Sequence, residues 1–186
     1  MPKTIIMGYM KRILQLLEQL SEHTGRLFAW MLLLMVVVTF LVVVLRYAFN
    51  VGWIAMQESI TYLHAIAFMM GAAYTLKHDG HVRVDIFYRR WSRRRRAWVD
   101  FLGGLLLLMP VCIFIAWSSW AYVLSSWSYL EGSPEAGGLP GVFLLKTFML
   151  IMPVLMILQG LAQILTAWVH LRGDSTPDEG DRGIQV

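Results

Sequence analysis

Polar residues along this chain gather at intervals, and long apolar blocks separate them. The first block, residues 27–45 (LFAWMLLLMVVVTFLVVVL), has nineteen residues and no charge. At 1.5 Å per residue it crosses a hydrocarbon core of about 30 Å as one helix. The second block, residues 54–76, is less pure and carries Gln57, Glu58 and His64. The third, from about 97 to 124, has Asp100 at its start and Pro110 inside. The fourth, from about 141 to 171, has Lys146 near its start and Pro153 inside. Proline breaks a soluble helix, but a membrane helix carries it as a kink because neighbouring groups re-satisfy the freed backbone. The last two blocks exceed the roughly 20 residues a span needs, which predicts tilt or protrusion.

The pattern therefore predicts an all-α membrane protein with four transmembrane helices, spanning approximately 27–46, 54–76, 97–124 and 141–171. Ahead of them, Ile13, Leu14, Leu16, Leu17 and Leu20 recur at helical spacing beside Lys11, Arg12, Glu18 and Glu22. Residues 1–26 thus read as an N-terminal amphipathic helix, lying on the membrane or leading into the first span as its polar extension. They lack the short apolar core followed by small residues that marks a cleavable signal peptide. Residues 172–186, rich in Gly, Asp, Glu and Pro, read as a disordered cytoplasmic tail.

Composition agrees. Hydrophobic residues make up 58% of the 186 and charged ones only 15%. A soluble domain of this size has too much surface to cover with so few polar groups, which argues against a cytosolic enzyme. Charge then orients the chain. The segment 77–96 holds eight of the sixteen Lys and Arg residues, and the N-terminal arm adds Lys3, Lys11, Arg12 and Arg26. The stretch between the third and fourth spans, SYLEGSPEAGGLP, has none. By the positive-inside rule both termini and the 77–96 loop are cytoplasmic. Tryptophans 30, 91, 98 and 168 fall at the expected inner border, and 53, 120 and 127 at the outer one.

Candidate chemistry is sparse. The lone cysteine, Cys112, lies in an apolar run and reads as a buried inert thiol, with no disulfide and no cysteine-based metal site. The arginine run 93–96 lies between two spans, where anionic headgroups account for it better than nucleic acid does. His78, Asp79, His81 and Asp85 crowd together, yet without a zinc spacing; a turn at Gly80 and a helix cap at Asp85 explain them. If that stretch is extended, His81, Arg83 and Asp85 share one side and suit a protein contact. Arg46 and Glu58 flank the tight turn after the first span, and an Arg46–Glu58 pair closing that hairpin is the expected arrangement. Gln57, Gln159 and Gln163 read as interhelical hydrogen-bonding groups. His64, inside the second span, reads as a hydrogen-bonded interior histidine. Its rival role is ligation of haem in the membrane anchor of a respiratory enzyme, but His23 and His170 fall at another depth. No GxxxxGK[ST], GxSxG or HExxH motif occurs. Four helices with so few buried ionisable groups leave little room for the substrate cavity an independent exporter would need. By elimination the chain reads as a non-catalytic partner subunit of a membrane assembly, with no cofactor.

The loops carry a resemblance. The order Arg46-Tyr47-Ala48-Phe49-Asn50, Gln57-Glu58, Gly71-Ala72-Ala73-Tyr74 and His81-Val82-Arg83-Val84-Asp85 resembles the small membrane subunit (the Q, DctQ-like subunit) of tripartite ATP-independent periplasmic (TRAP) transporters. The run Glu131-Gly132-Ser133-Pro134-Glu135-Ala136-Gly137-Gly138-Leu139-Pro140, then Leu144-Leu145-Lys146 and Leu158-Gln159-Gly160, fits one branch of that family. The resemblance covers about residues 28–165. Met56 departs from it, standing where many members have Trp.

The resemblance implies a bacterial inner-membrane, multi-pass subunit. Such a subunit scaffolds a large elevator-type membrane subunit (M) and helps to dock a periplasmic binding protein (P). It also implies sodium-coupled uptake of organic acids of the C4-dicarboxylate or 2-oxo acid class. Arg46, Asn50, Glu58, His81, Arg83 and Asp85 are then the residues expected to hold the fold or touch a partner, with membrane lipids around them and no nucleic acid.

Overall fold

A computed structural model describes residues 3–81, 88 and 91–172. The described residues form helices α1 (Lys3–Ala48), α2 (Ile54–Lys77), α3 (Arg93–Gly103), α4 (Met109–Ser128) and α5 (Val142–Arg172), with a π turn, Gly104–Leu108, joining α3 to α4. Four helical stretches are long and apolar enough to cross a membrane: Leu14–Ala48, Ile54–Lys77, Arg93–Ser128 and Val142–Leu171. Residues 3–26 form the first part of α1, which runs without a break into the first span.

Each turn has a local cause. After α1, Asn50 takes a left-handed backbone (φ 55°), and the Val51 amide returns to the Leu45 carbonyl at 2.9 Å. α2 ends in a Schellman motif. The Gly80 amide reaches the Thr75 carbonyl (2.9 Å) and the Asp79 amide that of Leu76 (3.3 Å), with Asp79 at φ 52°. α4 ends in the same way. Glu131 N–H bonds to Ser126 (3.0 Å) and Leu130 N–H to Trp127 (3.3 Å), with Leu130 left-handed at φ 49°. A leucine there gives up about 1 kcal/mol or more of backbone strain that glycine would avoid.

Within the third span, Met109 N–H bonds to the Gly104 carbonyl, five residues back. This π turn falls just ahead of Pro110, whose missing N–H and bulky ring break the regular ladder. It is also where α5 comes close: a Cβ on Gly104 would lie 2.7 Å from Ile164 Cγ1, and one on Gly160 2.6 Å from Leu108 Cδ2. Pro153, inside α5, is fully buried.

The core is small and belongs to three of the spans. Ala73 and Leu76 of α2, Cys112 of α4 and Met156 of α5 pack together, with Leu108, Met152 and Ile157 around them. α1 lies outside this core. It rests on α2 and, less, on α5, and exposes Val36, Val37, Phe40 and Val43. Polar ties fasten it near the end of the bundle that carries the chain termini. Ser21 donates to Gln159 Oε1 at 2.6 Å, both residues being buried. Lys77 bonds Glu22 at 2.9 Å, and Glu22 also pairs with Arg26 at 2.9 Å. Gln163 Nε2 donates to the Leu76 carbonyl at 2.9 Å, tying α5 to α2.

Candidate functional site: the loop cap over Glu58

The turn after α1 and the stretch 129–141 between α4 and α5 lie at the opposite end of the bundle from the termini. There the 129–141 stretch folds back on itself. Ser133 N–H bonds to the Leu139 carbonyl (3.0 Å), and Gly138 N–H to that of Glu135 (3.0 Å). Glu135 N–H bonds to Ser133 Oγ (3.1 Å). The half-buried carboxylate of Glu58, in the second turn of α2, completes this ring. Its Oε1 accepts the Ser133 hydroxyl, and its Oε2 accepts the Leu139 amide at 2.7 Å. Gly138 sits directly over the contact: a Cβ there would lie 2.4 Å from Ser133 Oγ and 2.8 Å from Glu58 Oε1. Only a residue without a side chain fits.

A second tie lies beside the first. Glu131 and Lys146 form a close ion pair, and the Lys146 ammonium stands 3.9 Å over the ring of Tyr122. Trp127 Nε1 donates to Thr147 Oγ1 (2.9 Å), and its ring meets Phe143 edge-on at 4.7 Å. The Lys146 hydrogen bond holds the Glu131 carboxyl below the ordinary carboxylate range. The Tyr62 hydroxyl is buried and has no partner among the described residues. Glu58 and Glu131 are both engaged in holding the loop. Chemically the arrangement is a latch.

The expected residues divide. Arg46, Asn50 and Glu58 come to the loop end together; His81, exposed, lies at the other end after α2. Arg83 and Asp85 lie outside the described residues. The expected Arg46–Glu58 pair is not formed. Arg46 is exposed and has no ion pair among the described residues, while Ser133 and Leu139 satisfy Glu58. Arg46 is the nearest opposite charge in sequence, but the partners of Glu58 are 75 and 81 residues away in the chain. Asn50 has a backbone role, ending α1 in a left-handed turn, as asparagine does more readily than most residues.

His64 also departs from expectation. It is not interior: it is exposed on the outer side of α2, stacked near Phe68 with ring centroids 6.4 Å apart. The other described histidines, His23, His78, His81 and His170, lie near the end that carries the termini, so none shares its depth. Ser133, Gly138 and Leu139 carry no charge that marks them as partners of Glu58. The density of turn-forming residues in 131–140 was the available signal.

A family model described as "Tripartite ATP-independent periplasmic transporters, DctQ component" matches residues 35–170. A Haemophilus influenzae protein provisionally named a TRAP transporter small permease protein is 29% identical over 106 residues. That alignment covers 56% of this chain and 66% of the relative. No solved structure matches.

Proposed function

The chain belongs to the DctQ component family of tripartite ATP-independent periplasmic transporters, a family of transporter parts rather than enzymes, and on that footing we propose that it is the small scaffold subunit of a binding-protein-dependent importer in a bacterial inner membrane. It packs against a large membrane subunit, which carries the substrate and sodium sites, and holds that subunit's static part in place. Both termini face the cytoplasm, and the loop cap over Glu58 faces the periplasm. Organic acids of the C4-dicarboxylate or 2-oxo acid class are the transported species.

The observation that carries this reading is the use made of the charged groups. Glu58, Glu131 and Lys146 fasten a loop to the bundle. The groove between α4 and α5, about 350 Å³, is lined by Ile113, Ala116, Trp117, Trp120 and Ile157 and presents no charge to a carboxylate substrate. The orientation is supported by Arg93–Arg96, which open α3 at the terminus-bearing end. A rigid cap on a non-transporting subunit fits a fixed platform for a binding protein.

Uptake of radiolabelled organic acids into proteoliposomes tests the proposal. This chain alone is expected to transport none, and the chain with its large subunit and binding protein to transport in a sodium-dependent way. Transport by the chain alone would refute it.

A further inference from the structure

The outward face of α2 carries polar side chains at the middle of the span. Ile54, Gln57, Thr61, His64, Phe68, Gly71 and Thr75 follow one another at alternating steps of three and four, the spacing of a helix–helix seam. Ala67, Met70, Ala73 and Leu76 of the same helix are buried against the bundle. The seam itself points away: Thr61, His64 and Phe68 are exposed, and a Cβ on Gly71 would meet nothing within 4 Å. At similar levels α1 exposes Val36, Val37, Phe40 and Val43, and α4 exposes Ile113 and Phe114. Those are side chains that lipid accepts without cost.

Three polar side chains on the seam, Gln57, Thr61 and His64, have no hydrogen bond among the described residues. The hydroxyls of Thr39, Thr75, Thr147 and Thr166 each donate to the carbonyl four residues back, at 2.7 to 2.9 Å. Thr61 makes no such bond, and His64, one turn further on, has no hydrogen bond or ion pair among the described residues. His64 is the eleventh residue of a 24-residue span, so it stands about 15 Å from the start of the helix and about 20 Å from its end, near mid-bilayer. An imidazole facing hydrocarbon there is costly, whereas one facing a polar group on another helix is a source of binding.

We infer that the seam Gln57–Thr61–His64–Phe68–Gly71 is the surface on which a transmembrane helix of the large membrane subunit docks. His64 and Thr61 hydrogen-bond at mid-depth to a hydroxyl, amide or carboxyl side chain of that helix. Gly71 lets the two backbones approach, and Phe68 fills the space between. This rests on the subunit assignment proposed above. The exposed face of α1, by contrast, is left to lipid.

The test uses the full-length chain co-expressed with its large subunit. A photo-crosslinking amino acid is placed at position 64 or 68 on the seam, and at 36 or 40 on α1 as a control. Crosslinks to the large subunit from 64 and 68, and none from 36 and 40, are expected. His64→Leu should lower the large subunit retained on affinity purification by about five- to tenfold, and His64→Asn should restore most of it. Crosslinks from the seam to a second copy of this chain, or to lipid only, would overturn the inference, as would full retention by His64→Leu. If the large subunit co-elutes with the unsubstituted chain but crosslinks only from α1, the seam is wrong and the assignment stands. If no large subunit co-elutes, both fall.

Discussion

Replacing Gly138 by alanine is a direct test of the latch over Glu58. The new Cβ would lie 2.5 Å from Ser133 Cβ, 2.4 Å from Ser133 Oγ and 2.8 Å from Glu58 Oε1. A change of serine rotamer relieves only the hydroxyl contact, because Ser133 Cβ is fixed to the backbone. Ordinary contact begins near 3.4 Å, so the two loop strands must separate by about 0.9 Å. A shift of that size takes the bond from the Leu139 amide to Glu58 from 2.7 Å to about 3.6 Å, beyond useful reach. Hydrogen exchange of the purified protein reads the result. Peptides containing Leu139 should exchange about tenfold faster in Gly138→Ala than in the parent. Glu58→Leu should do the same. Glu58→Gln should do less, since its amide oxygen can still accept from Leu139 while its NH₂ donates to Ser133 Oγ. Gly52→Ala, with nothing within 4 Å of the added carbon, is the control and should change nothing. Unchanged protection at Leu139 in Gly138→Ala would refute the steric reasoning.

Other consequences are as specific. A double-mutant cycle on Ser21→Ala and Gln159→Leu should give a coupling of about 1 kcal/mol for the buried 2.6 Å bond between α1 and α5; zero coupling would contradict its role. Leu130→Gly should raise stability by up to about 1 kcal/mol, or Tm by about 2–4 °C, by relieving the left-handed leucine at the end of α4; a lower Tm would count against it. Because the folded state depresses the Glu131 carboxyl, its stabilising effect is fully present above the ordinary carboxylate pKa of about 4.3 and is lost as pH falls through the lower folded value. The Tm gap between the parent and Glu131→Gln should therefore persist at pH 7 and close only below about pH 4; a gap that closes near neutrality would contradict the assignment.

The four spans were legible because bilayer thickness imposes a minimum length on apolar runs, and the chain has few such runs to confuse. Helix ends at Asn50 and Asp79 were marked by residues that tolerate left-handed backbone. Leu130, which does not, gave no such signal. The latch was harder to read. Glu58 and Arg46 stand close in sequence and have opposite charge, so pairing them was the economical reading. The competing partners are a serine hydroxyl and a backbone amide in a loop that tertiary folding alone brings near. The exposed position of His64 is illegible in the sequence for a related reason. α2 carries apolar residues on all sides, so periodicity does not tell which side meets the bundle and which looks outward. The π turn had visible ingredients, Gly103-Gly104 and Pro110, but their joint effect depends on α5 pressing against Gly104.

The measurement that bears most directly on the scaffold role is affinity purification of the tagged chain, co-expressed with its large subunit, from native membranes in mild detergent, followed by mass spectrometry and reconstitution of the eluted species. A stoichiometric complex with a large polytopic subunit is predicted, with uptake by that complex in the presence of the binding protein and none by the small chain alone. A chain that elutes without a large membrane partner, or that transports by itself, would contradict the account.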